Sequence, residues 1–237
     1  MYGCKLGYIY PKSSSLIKQP LSSTHLKNIR IPHAISSRVE YKKKFSPWEM
    51  YRAFVTIPSA AANMVRNSRK NLIDKKFIER LQLAVTEVNG CAACSYAHTY
   101  LALKQGLNIE EINSFLVGNQ SFHKPEEAKA ILFAQHFADT RGVPKADAYY
   151  SIVEEYGEEK AKIIFSSVQI MQVGNIFGIP FSALISRLKG KPYKNSSLIY
   201  EIGMHIAGII FLPFALVHGF LRSAIGLSNI RLHSNPN

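Results

Sequence analysis

The sequence predicts an all-α protein, a compact bundle of roughly seven to nine helices. Three observations lead to this prediction. Apolar residues recur at three- and four-residue spacing along most of the chain after residue 45. Residues typical of helix caps and helix stops stand at the ends of these runs. No stretch of strand length alternates apolar and polar residues, and no Asn-Gly hairpin joins two strand-like apolar runs.

The first predicted helix begins after Ser46, which is a suitable N-cap because its hydroxyl can accept a backbone N–H. Pro47 follows at the first helical position and Glu49 comes just after it. Pro58 is expected to break or kink the segment, since proline lacks the N–H that a helix interior needs.

The next helix starts at Asp74 and carries a helical apolar stripe through "FIERLQLAVTEV". Asn89 and Gly90 interrupt this helix and can cap its end. A further helix then begins at Cys91 and runs to about Gln105, with Gly106 as its stop.

Four more helices are predicted downstream. Asn108 caps a short one, and Pro125 stands at the start of another. The segments "KADAYYSIVEEYG" and "EEKAKIIFSSVQIMQVGNIFGIPFSALISRLKG" form two more, and Gly174 and Gly178 lie near the middle of the second.

The chain divides into three parts, a basic tail over 1–45, a helical domain over 46–195 and an apolar C-terminal helix over 196–237. The tail holds nine Lys/Arg against one acid, so it carries +8 of the formal net charge of +13. We expect it to be mobile; a transit peptide, an ordinary basic tail and an over-long start all fit its composition. The rest is only mildly basic and has no nucleic-acid-binding motif, so we expect no nucleic-acid partner.

The run Ile202–Leu221 contains no Lys, Arg, Asp or Glu. Twenty helical residues span about 30 Å, the thickness of a bilayer core. Pro213 and two histidines, His205 and His218, argue against an ideal span. The alternatives are contact with a membrane and packing on the core or on a second subunit.

The three cysteines stand at positions 4, 91 and 94, which is not a disulfide scaffold and fits a reducing compartment such as the cytoplasm. On a helix that starts near Cys91, the side chains of Cys91, Cys94 and His98 share one face. A helix N-terminus favours a thiolate, and a histidine one turn away can take the thiol proton. A second cysteine three residues away can attack an oxidised sulfur and close a disulfide.

Other readings of these residues stay open. The cysteines can be small buried residues. They can also form a zinc site with His98 and Glu79, although no second ligand pair accompanies them. A thioredoxin-like site needs a βαβ context, which is absent. We read Glu87 as an exposed helix charge that could exchange roles with Glu79.

The CxxCxxxH motif and its surroundings resemble the carboxymuconolactone decarboxylase superfamily, and within it the alkylhydroperoxidase D branch. Glu79 stands twelve residues before Cys91, the motif follows "VNG", and "LKQGLNIEEI" comes after it. Two later segments, "EEAKAILFAQHFADT" and "VGNIFGIPFSALISRLKG", also look like the downstream helices of this group. The resemblance covers roughly residues 46–190.

The resemblance implies an all-α fold, assembly as a trimer or a ring of trimers, and reduction of hydroperoxides without a metal or organic cofactor. It implies that Cys94 is the attacking thiolate and Cys91 the resolving thiol, with Glu79, a water and His98 as proton relay. An external dithiol or partner protein would restore the pair. This sequence departs from the pattern of the branch at Ala93, a position where the best-known peroxidases often carry histidine.

The function expected from this resemblance is a thiol-dependent peroxidase. The alternatives are a redox-sensing or interaction protein of the same fold and a carboxymuconolactone decarboxylase-like enzyme. The decarboxylase branch lacks the cysteine pair, which makes it the weaker alternative.

Overall fold

The structure, a computed structural model, describes residues 40–116 and 124–233. These residues form eight α-helices and one 3₁₀ turn, and no strand occurs among them, which confirms the all-α prediction. In chain order the elements are α1 (Pro47–Phe54), α2 (Ile57–Lys70), α3 (Lys75–Asn89), α4 (Ala92–Lys104), α5 (Ile109–Leu116), a 3₁₀ turn (Pro125–Glu127), α6 (Ala128–Asp139), α7 (Ala146–Leu188) and α8 (Leu198–Ala224).

The predicted caps at the start of α1 and α3 are confirmed. The Ser46 hydroxyl accepts the Glu49 N–H, and the Glu49 carboxylate accepts the Ser46 N–H, so both halves of a capping box are present. Asp74 caps α3 by accepting the N–H of Phe77. The break expected near Pro58 occurs between α1 and α2, where Pro58 is the second residue of α2.

Gly90 ends α3 in the left-handed conformation, with φ 76°. Such a φ favours glycine because a side chain there is strained. Cys91 follows at once as the N-cap of α4, so two residues turn the chain from one helix into the next. The predicted boundary at Asn89-Gly90 is therefore confirmed.

Helix α7 is the centre of the bundle and packs against α1, α2, α3, α4, α6 and α8. Its backbone leaves helical geometry at Gly157, which separates the two helices that the sequence predicts there. Beyond this break α7 presents fully buried residues to its neighbours, including Ile164, Phe165 and Val168. The helix thus forms a common wall for the elements around it.

The chain is packed before the boundary expected at Ser46. Phe45 is 2% exposed, and its backbone N–H donates to the Tyr200 hydroxyl. Tyr41 makes edge contacts with the rings of Tyr193 and Tyr200, and burial raises its pKa to about 12. The rest of the predicted mobile basic tail, residues 1–39, lies outside the described residues.

One narrow side of helix α8 packs against α1, α2 and α7. Small residues allow this close packing; at Gly219 a Cβ would meet the Val55 carbonyl oxygen. The opposite side exposes large apolar residues, among them Ile209, Phe214 and Phe220. Helices α7 and α8 are both long and apolar enough to cross a membrane, a criterion that buried helices of soluble proteins also meet. Only 22% of the most apolar window of α8 is buried, against 50% for α7.

Candidate active site

Cys91 and Cys94 form a disulfide at the first turn of α4, with 5.3 Å between their Cα atoms. The Cys91 sulfur also caps the helix, since the Cys94 N–H donates to it over 3.2 Å. Cys91 is 0% exposed and Cys94 is 8% exposed. A small reactant therefore reaches Cys94 more easily than Cys91.

Helix α7 covers the disulfide from the other side. A Cβ on Gly178 would lie 2.7 Å from the sulfur of Cys91 and 2.7 Å from that of Cys94. The carbonyl oxygen of Gly174 lies 3.5 Å from the Cys94 sulfur, and the Ser182 hydroxyl accepts the N–H of Ala93 over 3.1 Å. The absence of a side chain at Gly178 is what allows α7 to approach this closely.

His98 and Glu79 form a polar pair between α4 and α3. His98 Nδ1 lies 2.9 Å from Glu79 Oε2, and Gln105 Nε2 donates to Glu79 Oε1 over 3.1 Å. Glu79 is buried on α3, whereas His98 is partly exposed on α4, one turn after Cys94. The carboxylate thus orients the imidazole whose other nitrogen can exchange a proton with a thiol or a water.

The prediction that Glu87 is an exposed charge on its helix is wrong. It is buried rather than exposed, and its carboxylate forms an ion pair with Lys42. Lys42 Nζ also donates to the Glu87 carbonyl oxygen over 2.9 Å, and the Lys42 side chain covers Gly90. Because a pattern on α3 alone cannot reveal a lysine 45 positions earlier, the burial of Glu87 was not predictable.

A buried polar cluster holds α3 against α7 beside the cysteines. Asn89 Nδ2 donates to Gln172 Oε1 over 2.8 Å, and Asn175 Nδ2 donates to Thr86 Oγ1 over 3.2 Å. All four residues are nearly or fully buried. Buried hydrogen bonds of this kind fix the position of two helices more narrowly than apolar contacts do.

The structure joins the four predicted site residues in two pairs, Cys91 with Cys94 and Glu79 with His98, and His98 lies one turn after Cys94 on α4. Sequence reasoning missed Gln105, although its seven-residue spacing from His98 on one helix places it on the same face. The sequence analysis named Gly178 only as a glycine within a helix. Its role depends on the crossing of α7 over the disulfide, which only the fold shows. Among the described residues no group of three His, Cys, Asp or Glu is arranged to hold a metal ion.

Comparison with known proteins agrees with this geometry at the level of the superfamily. The model of the carboxymuconolactone decarboxylase family matches residues 50–136, which include all four site residues. The chain is 29% identical over 101 residues to the uncharacterized protein YdfG of Bacillus subtilis (strain 168), covering 41% of this chain and 68% of that protein. No solved structure matches the chain significantly.

Proposed function

We propose that this protein is a thiol-dependent peroxidase of the alkylhydroperoxidase D type, which reduces hydroperoxides through Cys94 and Cys91. The observation that carries the proposal is the pairing of a redox-capable disulfide with the Glu79–His98 hydrogen bond, whose histidine lies one helical turn after Cys94. A base oriented by a carboxylate activates a neighbouring thiol as its thiolate. A second cysteine that can close a disulfide then removes the oxidised intermediate. The family match at residues 50–136 supports the proposal at a coarser level.

The cycle begins with both cysteines reduced. His98 takes the proton of Cys94, and the thiolate attacks the outer oxygen of the hydroperoxide, breaking the O–O bond. Cys94 becomes a sulfenic acid, and the alkoxide leaves as an alcohol after taking a proton from the His98–Glu79 couple. We assign the attack to Cys94 because it is the more exposed sulfur and lies one turn from His98.

Cys91 then resolves the intermediate. The Cys91 thiol gives up its proton and its thiolate attacks the Cys94 sulfur, so that the S–O bond breaks as the disulfide forms. The leaving hydroxide takes up a proton, equivalent to the one that Cys91 released, and departs as water. The Cys94 N–H that points at the Cys91 sulfur favours this thiolate, since a hydrogen bond to the charged form stabilises it. An external dithiol or a redox-partner protein reduces the disulfide by exchange, in a reducing compartment such as the cytoplasm.

The experiment compares peroxide turnover of the wild type, Cys94→Ser and Cys91→Ser in the presence of a small dithiol. We expect Cys94→Ser to abolish turnover and Cys91→Ser to accumulate a sulfenic acid on Cys94 that dimedone traps. Cys4→Ser, at the third cysteine outside the described residues, is the matched control and should leave turnover unchanged. Full peroxidase activity of Cys94→Ser would contradict the assignment of roles.

A second candidate function is a redox sensor, favoured by the low exposure of both sulfurs. A sensor oxidises once for each equivalent of peroxide, whereas an enzyme cycles for as long as reductant is supplied. Counting alcohol formed per protein with excess dithiol separates the two. A carboxymuconolactone decarboxylase-like reaction would leave the thiols unchanged, and full activity of a Cys91→Ser, Cys94→Ser variant toward a lactone acid would favour it.

Assembly into a homo-oligomer, a trimer or a multiple of it, is part of this proposal and rests on the resemblance. Exposed aromatic residues near the cysteines on α4 and α7, Tyr96, Tyr100, Phe177 and Phe181, provide an apolar surface on which a second copy can pack. Sedimentation equilibrium of the full chain measures the mass directly. A monomer at all concentrations would remove this part of the proposal.

We also propose that the exposed side of α8 contacts a lipid surface. The run Ile202–Leu221 has no charged residue, and basic residues stand before and after it, at Lys189, Lys191, Lys194 and Arg222. This arrangement suits a helix that lies in the interface of an anionic membrane. Because α8 packs along the bundle, we expect it to rest on the membrane rather than cross it alone.

Flotation of the full chain with vesicles of phosphatidylcholine and phosphatidylglycerol tests the lipid proposal. Ile209→Gln and Phe220→Gln, at side chains 72% and 65% exposed, should each reduce the bound fraction without unfolding the protein. Leu132→Gln, at an exposed leucine on α6, is the matched control. Equal flotation of all variants, or none of the wild type, would contradict lipid contact, and a smaller oligomer in the α8 variants would assign this surface to a second copy.

A further inference from the structure

A cavity of about 50 Å³ opens on the side of α7 that faces away from the cysteines. Gln172 and Ile176 line it, whereas the Gly174 carbonyl oxygen and the Cβ position of Gly178 lie against the disulfide sulfurs. Since successive residues of a helix are about 100° apart, these two pairs lie on different sides of α7. The cavity is therefore distinct from the candidate active site and needs its own explanation.

The wall of this cavity carries an excess of positive charge. Arg52, Arg141 and Arg231 line it together with one carboxylate, Glu49. Arg141 occupies both oxygens of Glu49, through Nε at 2.6 Å and Nη2 at 3.1 Å. Among the described residues no carboxylate forms an ion pair with Arg52 or Arg231. Two guanidinium groups thus remain available at the cavity.

The electrostatic environment of Arg231 agrees with an unneutralised site. Burial, and then repulsion from Arg52 and Arg222, lower the pKa of Arg231 below its ordinary value. Arg222 donates to Asn229 Oδ1 and to the Ser228 carbonyl oxygen. Both acceptors are uncharged, so these bonds bring no negative charge to the site. An anion beside Arg52 and Arg231 would relieve this repulsion.

The cavity also contains a buried donor without a partner. Gln172 is 3% exposed, and its Oε1 accepts the N–H of Asn89, which leaves Nε2 as the end of the amide away from Asn89. Nε2 is buried and has no hydrogen-bond partner. Buried amide groups are nearly always satisfied, so an acceptor in the cavity would complete this one.

We propose that this cavity binds the carboxylate group of a small organic acid. Arg52 and Arg231 pair with the carboxylate, since guanidinium groups match its two oxygens, and Gln172 Nε2 donates to it from the floor. Phe137, Val143 and Ile176 form an apolar wall for the carbon chain of the acid. This wall favours a carboxylate with an apolar stem over inorganic phosphate, which would present oxygens to it on every side.

The experiment titrates the full-length protein with butyrate and with uncharged butyramide. Trp48 is the single tryptophan of the chain, and the Arg52 guanidinium lies 6.0 Å from its ring, so tryptophan fluorescence reports on the site. Titration calorimetry gives an independent affinity. We expect saturable binding of butyrate, no binding of butyramide, and weaker binding of inorganic phosphate than of butyrate.

Three variants test the residues. Arg52→Gln and Arg231→Gln should each weaken butyrate binding about tenfold or more, which corresponds to loss of one charged contact. Gln172→Glu keeps the acceptor for Asn89 but replaces the donor with a negative oxygen, and should abolish binding. Arg69→Gln, at an exposed arginine on α2, makes the same change of charge away from the cavity and should leave affinity unchanged.

Several results would overturn the proposal. They are absence of butyrate binding to the wild type at high millimolar concentration, equal binding of butyramide, and an Arg69→Gln effect as large as that of Arg52→Gln. The first would mean that water alone completes Gln172. Because binding is measured without peroxide, its failure leaves the redox cycle untouched, and loss of the redox cycle leaves this site untouched.

Discussion

Substitution of Gly178 by alanine tests whether the described crossing of α7 over the cysteines is correct. The added Cβ would lie 2.7 Å from each sulfur, whereas non-bonded carbon contacts are optimal at about 3.5–4.0 Å. The overlap is about 1 Å against two atoms at once. Neither sulfur can retreat easily, because Cys91 is 0% exposed and is bonded to Cys94.

The size of the effect follows from two opposing terms. Overpacking of a tight interior costs about 1–3 kcal/mol. Replacement of glycine by alanine inside a helix stabilises it by about 0.5–1 kcal/mol. Comparison with Gly174→Ala isolates the cost of overpacking. Both variants gain the same helix stabilisation, but a Cβ at Gly174 meets only Met171 Cε, at an ordinary 3.6 Å. We therefore expect Gly178→Ala to be about 1–3 kcal/mol less stable than Gly174→Ala.

The assay is equilibrium unfolding in urea of both variants and the wild type, under oxidising conditions that keep the disulfide. Peroxide-driven loss of thiols, measured on the reduced proteins, should also be slower in Gly178→Ala than in Gly174→Ala. If the two variants unfold within about 0.5 kcal/mol of each other, α7 does not approach the sulfurs as described, and the reasoning fails.

Three further predictions concern a cap, the relay and one ion pair. Ser46→Ala removes the hydroxyl that caps α1 and should lower the free energy of unfolding by about 1 kcal/mol in urea titrations. Glu79→Gln removes the carboxylate that orients His98 and should slow peroxide-driven thiol loss by about 100-fold in stopped-flow measurements. Hydrogen bonds from Arg187 hold the pKa of Glu201 below its ordinary value of 4.5. The ion pair therefore stabilises the fold fully above pH 4.5. This stabilisation is lost as the pH falls through the lowered pKa of Glu201, because the carboxylate is then protonated. Glu201→Gln should therefore lower stability near pH 7, and its difference from the wild type should shrink as the pH falls below 4.5.

Each of these three predictions has a control. Ser46→Thr retains a hydroxyl and should keep most of the stability that Ser46→Ala loses. Glu79→Gln must unfold at nearly the wild-type urea concentration, since otherwise slow thiol loss reflects damage to the fold. A constant difference between Glu201→Gln and the wild type across the whole pH range would show that the charge of Glu201 contributes nothing.

The parts of the fold that could be predicted are those set by neighbouring residues. The caps at Ser46 and Asp74 and the turn at Gly90 each depend on a few adjacent positions, and all three are confirmed. The motif from Cys91 to His98 is likewise local, because one helix places its residues on one face.

The rest depends on contacts between distant parts of the chain. The burial of Glu87 by Lys42 joins positions 45 apart, and the crossing of Gly178 over the sulfurs joins α4 to α7. The cavity with Arg52 and Arg231 is assembled from α1, the end of α6 with the loop that follows it, α7 and the segment after α8. No periodicity along one element carries information about such pairs.

The sulfur of Cys91 is at once half of the disulfide and the acceptor of the Cys94 N–H. A thiolate accepts a hydrogen bond more strongly than a disulfide sulfur does, because charge strengthens the bond. Ionisation of Cys91 during the proposed cycle should therefore tighten the first turn of α4, and closure of the disulfide should loosen it. The amide proton of Cys94 becomes a spectroscopic reporter of oxidation state inside the protein, readable by its chemical shift without any added label.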